Sequence, residues 1–435
     1  MQAPGVPEPV LSHVEGGNDR NAQPEGLPMT PGVIVAVLML LLSIQPISTD
    51  LYLPALPTLQ REFMATTAAV QLTLSALIIS FGLGQLVCGP LADRFGRRPV
   101  LLAGMALYTA ASLLATVAQG IDALVLARAL QGAAMASAVT CGRSIVRDLF
   151  QPHEGARVMS RALGGLGAVA MLSPIVGGLA VQWSGWHAAL LMTALYGAGV
   201  LALIALRFEE TVPVRDPLAT HPARVLRNWG QLVRHPAFRA WTALLCCSYG
   251  GLFVVLASSS FVYINVLGTS RVAYGVILAS NSAAYIAGTV YCRRLLLRHG
   301  LRGAVRRGSV WSLAGGLGVA GFSLLGVQNV WAVMLPLWLF AFGHGVHQPC
   351  GQSAVVGPFP AMAGTAASLS GFAMMLTAFC TGQVLGRTLG QTVYPLTLGV
   401  AAFSIGVFVV ANTVIQRHGE PAPRSLPNTL GGSTT

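Results

Sequence analysis

The chain contains no lysine, and its 435 residues carry only 14 acidic side chains. Charged residues make up 9% of the sequence, against about 25% in an ordinary soluble domain. With 54% hydrophobic residues, the deficit excludes a soluble core-and-surface protein, because too little polar surface exists to cover so apolar an interior. Cysteine is sparse. The seven (88, 141, 246, 247, 292, 350, 380) lie in or at the edge of apolar runs, without metal-ligand or disulfide-framework spacing, and read as small packing residues. No nucleophile or metal set converges in the sequence, so an enzyme is not expected. The first 31 residues lack an apolar core and read as a disordered cytoplasmic tail rather than a cleaved signal; 417–435 read the same way.

What is abundant is apolar runs near 20 residues, the length that crosses about 30 Å of hydrocarbon. They predict an all-α membrane protein with twelve spanning helices, at roughly 32–55, 68–90, 99–119, 121–145, 160–182, 186–206, 238–265, 272–292, 306–327, 330–356, 361–385 and 394–415. The largest polar break, 208–237, divides a six-helix half (32–207) from a second (238–416). Two such halves place a substrate site at their interface. Small residues, as in 164–171 and 363–375, allow close helix contact in lipid. The net charge of +12 comes from arginine alone. Its usual reading, a nucleic-acid partner, is rejected because the arginines cluster at helix ends. They crowd the breaks after spans 2, 4, 6 and 8, while the alternate breaks hold few. Positive loops stay inside, so both termini are expected in the cytoplasm of an inner-membrane protein.

Asp50 ends the run Gly32 to Asp50 and is the only acid inside a long apolar segment. A carboxylate in the bilayer costs on the order of 2.5–3.5 kcal/mol on insertion scales. It is either an interfacial aspartate at a helix end or a group that gains and loses a proton within the membrane. Arg128 lies about seven residues inside span 4; Gln131 shares its helix face and Met135 continues it. Arg128 either snorkels to the outer interface or is a buried partner for Asp50. Depth favours the partner, since both residues fall in the outer half of the bilayer. His344 and His347 are three apart with no third ligand nearby, and read as cavity lining or polar packing. Gly316, Gly318 and Gly321 fit a dinucleotide pattern but sit inside span 9 with no preceding strand, so they read as helix packing.

Between spans 2 and 3 stands GPLADRFGRRP, Gly89 to Pro99. Gly89 would permit close helix approach and Gly96 a tight turn, while Asp93 can accept hydrogen bonds from arginines or a helix N-terminus. This stretch closely resembles the loop 2–3 signature of the major facilitator superfamily. The resemblance implies the twelve-helix transporter fold and a loop (Gly89, Asp93, Arg94, Gly96, Arg97, Arg98) that helps lock one conformation. A degenerate echo without the acid follows span 8, from Gly288 to Arg294. Arg128, Gln131 and Gly132 resemble the Arg-x-x-Gln-Gly signature of proton-coupled drug exporters, which implies a role in proton transfer. Ser173, Pro174, Gly177 and Gly178 partly match an export-associated element; a proline kink with glycine packing explains them as well. Ser48 to Pro57 looks like the end of span 1 in the bicyclomycin/chloramphenicol-resistance (Bcr/CflA) group of drug:proton antiporters. Some related exporters carry an earlier acid in span 1, absent here, which argues against a two-proton mechanism.

The expected function is therefore proton-coupled efflux of small hydrophobic drugs by a monomer that needs no cofactor beyond the proton gradient. Its partners would be drug, proton and lipid bilayer. Tyr52, Gln131, Met135, Tyr249, Phe253, Asn281 and His344 are candidates for the substrate cavity. The alternative is a nutrient symporter using the same Asp50, against which stands the scarcity of mid-span polar residues.

Overall fold

The structure is a computed structural model, and it describes residues 29–150, 152–212, 214–390 and 392–419. Residues 1–28 and 420–435, most of the two expected tails, lie outside the described residues.

Every long apolar run folds as a helix, because a segment without water must satisfy its own backbone hydrogen bonds. The helices are α1 (Pro31–Asp50), α2 (Leu56–Glu62), α3 (Thr67–Phe95), α4 (Arg97–Thr116), α5 (Ile121–Leu149), α6 (Pro152–Arg207), α7 (Pro222–Arg234), α8 (Pro236–Ser260), α9 (Arg271–Leu324), α10 (Val330–Val356), α11 (Ala363–Thr388), α12 (Tyr394–Asn412) and α13 (Val414–His418). Helices α3, α9 and α10 begin at side-chain caps: Thr66, Ser270 and Asn329 accept from the backbone N–H three residues on.

By length and composition, ten stretches of the described residues can cross a membrane. The 56-residue α6 and 54-residue α9 are each too long for one crossing, and each holds a single non-helical glycine, Gly185 (φ 75°) and Gly300 (φ 62°). Broken there, where L side chains are strained, the described residues give twelve segments of crossing length, six on each side of 208–237, consistent with the expected count. The linker differs from expectation in holding a helix of its own, α7.

The first segment also departs from the expected unbroken span 32–55. It stops being α-helical at Asp50, and Leu53–Ala55 forms a 3-10 turn. Pro54 is the cause: it has no N–H for the carbonyl of Asp50 four residues back, and its ring collides with that carbonyl. The helix tightens, and the N–H of Tyr52 turns to Thr49 O at 3.1 Å, leaving the Ser48 carbonyl free.

Helix α3 packs along α11, and the first segment of α6 along the first of α9, forming the seam between the halves. At the arginine-poor end the seam is tight. A methyl on Gly178 would stand 2.6 Å from Arg271 O, and one on Gly275 2.5 Å from Pro174 O, while inside the first half one on Gly177 would stand 2.5 Å from Leu51 O. Arg271 donates to Thr58 Oγ1 at 3.0 Å, and Gln71 Nε2 donates to Ala257 O, both across the halves. This end of the molecule is shut.

Candidate functional site

The break in α1 sorts its side chains onto two sides. Ser48 and Tyr52 are four apart and share a face; Asp50, two residues from each, lies nearly opposite. Ser48 and Tyr52 turn into the first half. Tyr52 is buried, its hydroxyl 2.6 Å from Thr73 Oγ1, and Ser48 Oγ lies 2.7 Å from Tyr108 OH. Asp50 is half-buried and looks toward the second half, within electrostatic range of Tyr249 and Tyr274. Thr49 Oγ1 stands 2.8 Å from Asp50 Oδ1 and 3.0 Å from Gln45 O. Its one proton serves one acceptor well at a time. Gln45 in turn donates to Tyr249 OH at 3.3 Å.

Arg128 is fully buried, which excludes snorkelling. Its fork donates to Gln131 Oε1 at 2.5 Å and to the freed Ser48 carbonyl at 2.8 Å, and its plane lies 4.2 Å from the centroid of the Tyr52 ring. Gln131 passes the network on, donating to Ser112 Oγ at 2.7 Å and Thr193 Oγ1 at 3.4 Å. The expected pairing with Asp50 is corrected here: among the described residues Arg128 has no ion pair, and Asp50 none either. The reason is angular. The arginine takes the carbonyl of Ser48 and the ring of Tyr52, which lie on the face turned away from the Asp50 side chain. A guanidinium suits this duty, since it is weakly hydrated and can bond in its plane while stacking on a ring.

The seven residues expected around a substrate cavity do not gather around one. Tyr52 and Gln131 belong to the arginine network. Met135 and Phe253 are wholly buried in helix packing. His344 is buried with Nδ1 2.8 Å from Ser248 Oγ, a polar packing role. Tyr249 faces Gln45 and Asp50 across the seam. Asn281 borders a small void that it shares with Ser259, Tyr263 and Trp338. With the arginine-poor end shut, these side chains pack on protein.

The loop signature forms a second site. Gly96 has φ 108°, and a methyl there would also run into the Glu210 carboxylate, so glycine is required twice over. At Gly89 a methyl would meet only Thr140, at 3.8 Å, so the expected close approach is not the reason for that glycine. Arg97 is buried between two acids, 2.7 Å from Asp93 and 2.9 Å from Asp148. Arg98 donates to Ala205 O at 3.0 Å and Arg94 to Thr220 Oγ1 at 2.7 Å. Glu210 accepts from the backbone N–H of Arg97 (2.8 Å), Arg98 (3.3 Å), Thr211 (2.9 Å) and Val212 (3.1 Å). It thus caps α4 from a distance of more than a hundred residues. Sequence reasoning missed Glu210 and Asp148, because each looked like one more acid in a polar break.

Comparison with known proteins agrees with this geometry. The family model described as Major Facilitator Superfamily matches residues 38–382. Multidrug resistance protein D of Escherichia coli strain K12 is 29% identical over 338 residues, 78% of this chain and 84% of the relative. A chloramphenicol resistance protein of Pseudomonas aeruginosa is 27% identical over 384 residues, 86% of this chain and 87% of the relative. The crystal structure of a D-xylose-proton symporter superposes with a TM-score of 0.70 over 88% of this chain and 96% of the other, at 14% identity, a likeness of fold alone.

Proposed function

The chain belongs to the major facilitator superfamily, and on that footing we propose that it exports small hydrophobic drugs across the inner membrane in exchange for protons, by alternating access. In this reading the arginine-rich loops and both termini face the cytoplasm. The observation that carries it is Asp50, a carboxyl at a helix break, on the side of α1 turned to the second half. Among the acids of the described residues Asp50 alone falls well inside a stretch long and apolar enough to cross a membrane, Gly32–Glu62; the others stand at the edges of such stretches or outside them.

An acid so placed is useful because its neutral form is cheap in the membrane and its charged form is not. With the outer end open, Asp50 takes a proton from outside. With that end shut, it gives the proton up inward as substrate binds. The tight contacts of Gly178 with Arg271 and Gly275 with Pro174 across the halves correspond to the second stage. One charge moving inward through 100 mV releases about 2.3 kcal/mol, enough for roughly fortyfold accumulation. Arg128 acts as a positioning residue, holding residues 48–52 bent so that Asp50 stays at the seam. The resistance proteins among its relatives support drugs as the cargo.

The test is drug tolerance and proton-gradient-driven efflux in an efflux-deficient host. Asp50→Asn should reduce both to the level of cells without the gene, at unchanged protein level. Export by Asp50→Asn equal to the parent's would remove the coupling role. Gradient-driven uptake of a metabolite would instead make the protein a symporter.

A further inference from the structure

Helix α7 has thirteen residues, three of them arginine and none acidic. Its Val225, Trp229 and Leu232 lie on one face. Leu232 is wholly buried, and the helix rests on α8 and α11. The neighbouring edge is bare: Leu226 is 63% exposed and Val233 51%. Seven residues apart, they line up along the helix. Arg227 and Arg234, also seven apart, follow directly beyond that edge, both exposed, with no hydrogen bond or ion pair among the described residues. Arg224 differs, being bound to Asp216 at 2.7 Å. After α7 the chain turns at His235 in extended backbone, and Pro236 opens a membrane-crossing helix. The end of α7 therefore adjoins the start of a crossing segment. From 217 to 419 the sequence holds thirteen arginines and no acid at all, so this half offers them no carboxylate.

We propose that α7 is a binding site for anionic phospholipid. It lies in the interface of the leaflet at the arginine-rich end, with Leu226 and Val233 at the acyl boundary and Arg227 and Arg234 on lipid phosphates. An apolar edge bordered by arginines is the pattern of a helix that rests in a headgroup layer. Guanidinium forks suit phosphate oxygens. A protein partner fits less well, because a stable interface needs about 800 Å² from each side and the bare edge is two side chains long. The seat is joined to the loop site: Asp216 N donates to Asp93 O at 3.1 Å and Arg94 holds Thr220. The proposal is independent of the proton-coupling reading, and in symmetric bilayers it does not depend on orientation.

The full-length protein in nanodiscs tests it, with hydrogen exchange of the α7 amides as readout. Discs of phosphatidylcholine alone are compared with discs that also contain phosphatidylglycerol. Each arginine near an anionic surface contributes about fivefold, so the pair gives about twenty-five-fold greater protection in phosphatidylglycerol. The gain should shrink at high salt. Arg227→Ala with Arg234→Ala removes it, and the two Lys substitutions keep most of it, which separates charge from misfolding. Equal protection in the two lipids, or an undiminished gain in the double Ala variant, overturns the proposal. Protection that follows protein density rather than phosphatidylglycerol marks contact between two copies and overturns it as well.

Discussion

Asp50 and Arg128 stand at similar depth, yet a two-residue difference along α1 decides that they do not bind. The helix break frees one carbonyl, and the arginine takes that carbonyl and a ring. This changes what substitution at 128 should do. A simple ion pair would tolerate Lys. Here Lys cannot bond to Gln131 and Ser48 and stack on Tyr52 together, so Arg128→Lys as well as Arg128→Ala should lose export. Each should also lose about 2–3 kcal/mol of stability, because buried acceptors are left unpaired. Thermal unfolding in detergent checks the stability and efflux assays the export; a fully active Lys variant would restore the ion-pair reading. At the loop site Gly96→Ala forces a side chain into positive φ and against Glu210. It should cost about 1–3 kcal/mol, and Glu210→Ala about 1–2 kcal/mol through loss of the cap. Glu210→Gln, which keeps an acceptor, should cost less in the same melts.

At the scale of elements, the proline in the loop after Asp50 and the glycines of α6 do complementary things. Pro54 opens the backbone of the first segment, and Gly177 and Gly178 let α6 reach that backbone and the start of α9. Gly178→Val, whose side chain would meet Arg271 of the second half, should wedge the arginine-poor end apart. The variant should fold, since the wedge is relieved by opening, but populate the outward-open state. Cysteine accessibility at position 58 (Thr58→Cys in a background without native cysteines) should rise several-fold when position 178 is Val. No rise would mean that the seam is not the gate. The glycines were visible in the sequence as a partial match to an export element. What they touch was not, because the partner residues lie more than ninety positions away in either direction.

For the whole molecule, arginine distribution predicts that the linker and both termini share the cytoplasmic side. A phosphatase fused after residue 218 should be inactive and one fused at residue 268 active, with a fluorescent reporter giving the reverse. The opposite pattern would invert every assignment of inside and outside made above. The crossing segments and the division at 208–237 were readable because hydrophobic length is a local property. The linker helix α7 escaped notice because thirteen residues with a basic face resemble a loop when scanned for apolar length. Among site residues, Asp50, Arg128 and Gly96 stood out as a charge in an apolar run, another charge in such a run, and a glycine in a tight loop. Glu210 and Asp148 had no such contrast with their surroundings. The candidate cavity residues were chosen by side-chain type, and most proved to be packed on protein.

Composition and periodicity by themselves determined that this chain crosses a membrane many times, which end carries the arginines, and that one carboxyl stands alone among apolar residues. These follow from the price of water-free burial, paid residue by residue along the chain. Only the tertiary structure decided who faces whom. A helix turns 100° per residue, so whether Asp50 meets Arg128 or the second half depends on a local break and on the packing of neighbouring helices. The sequence placed the two residues at one depth, and the fold turned them to opposite sides of α1.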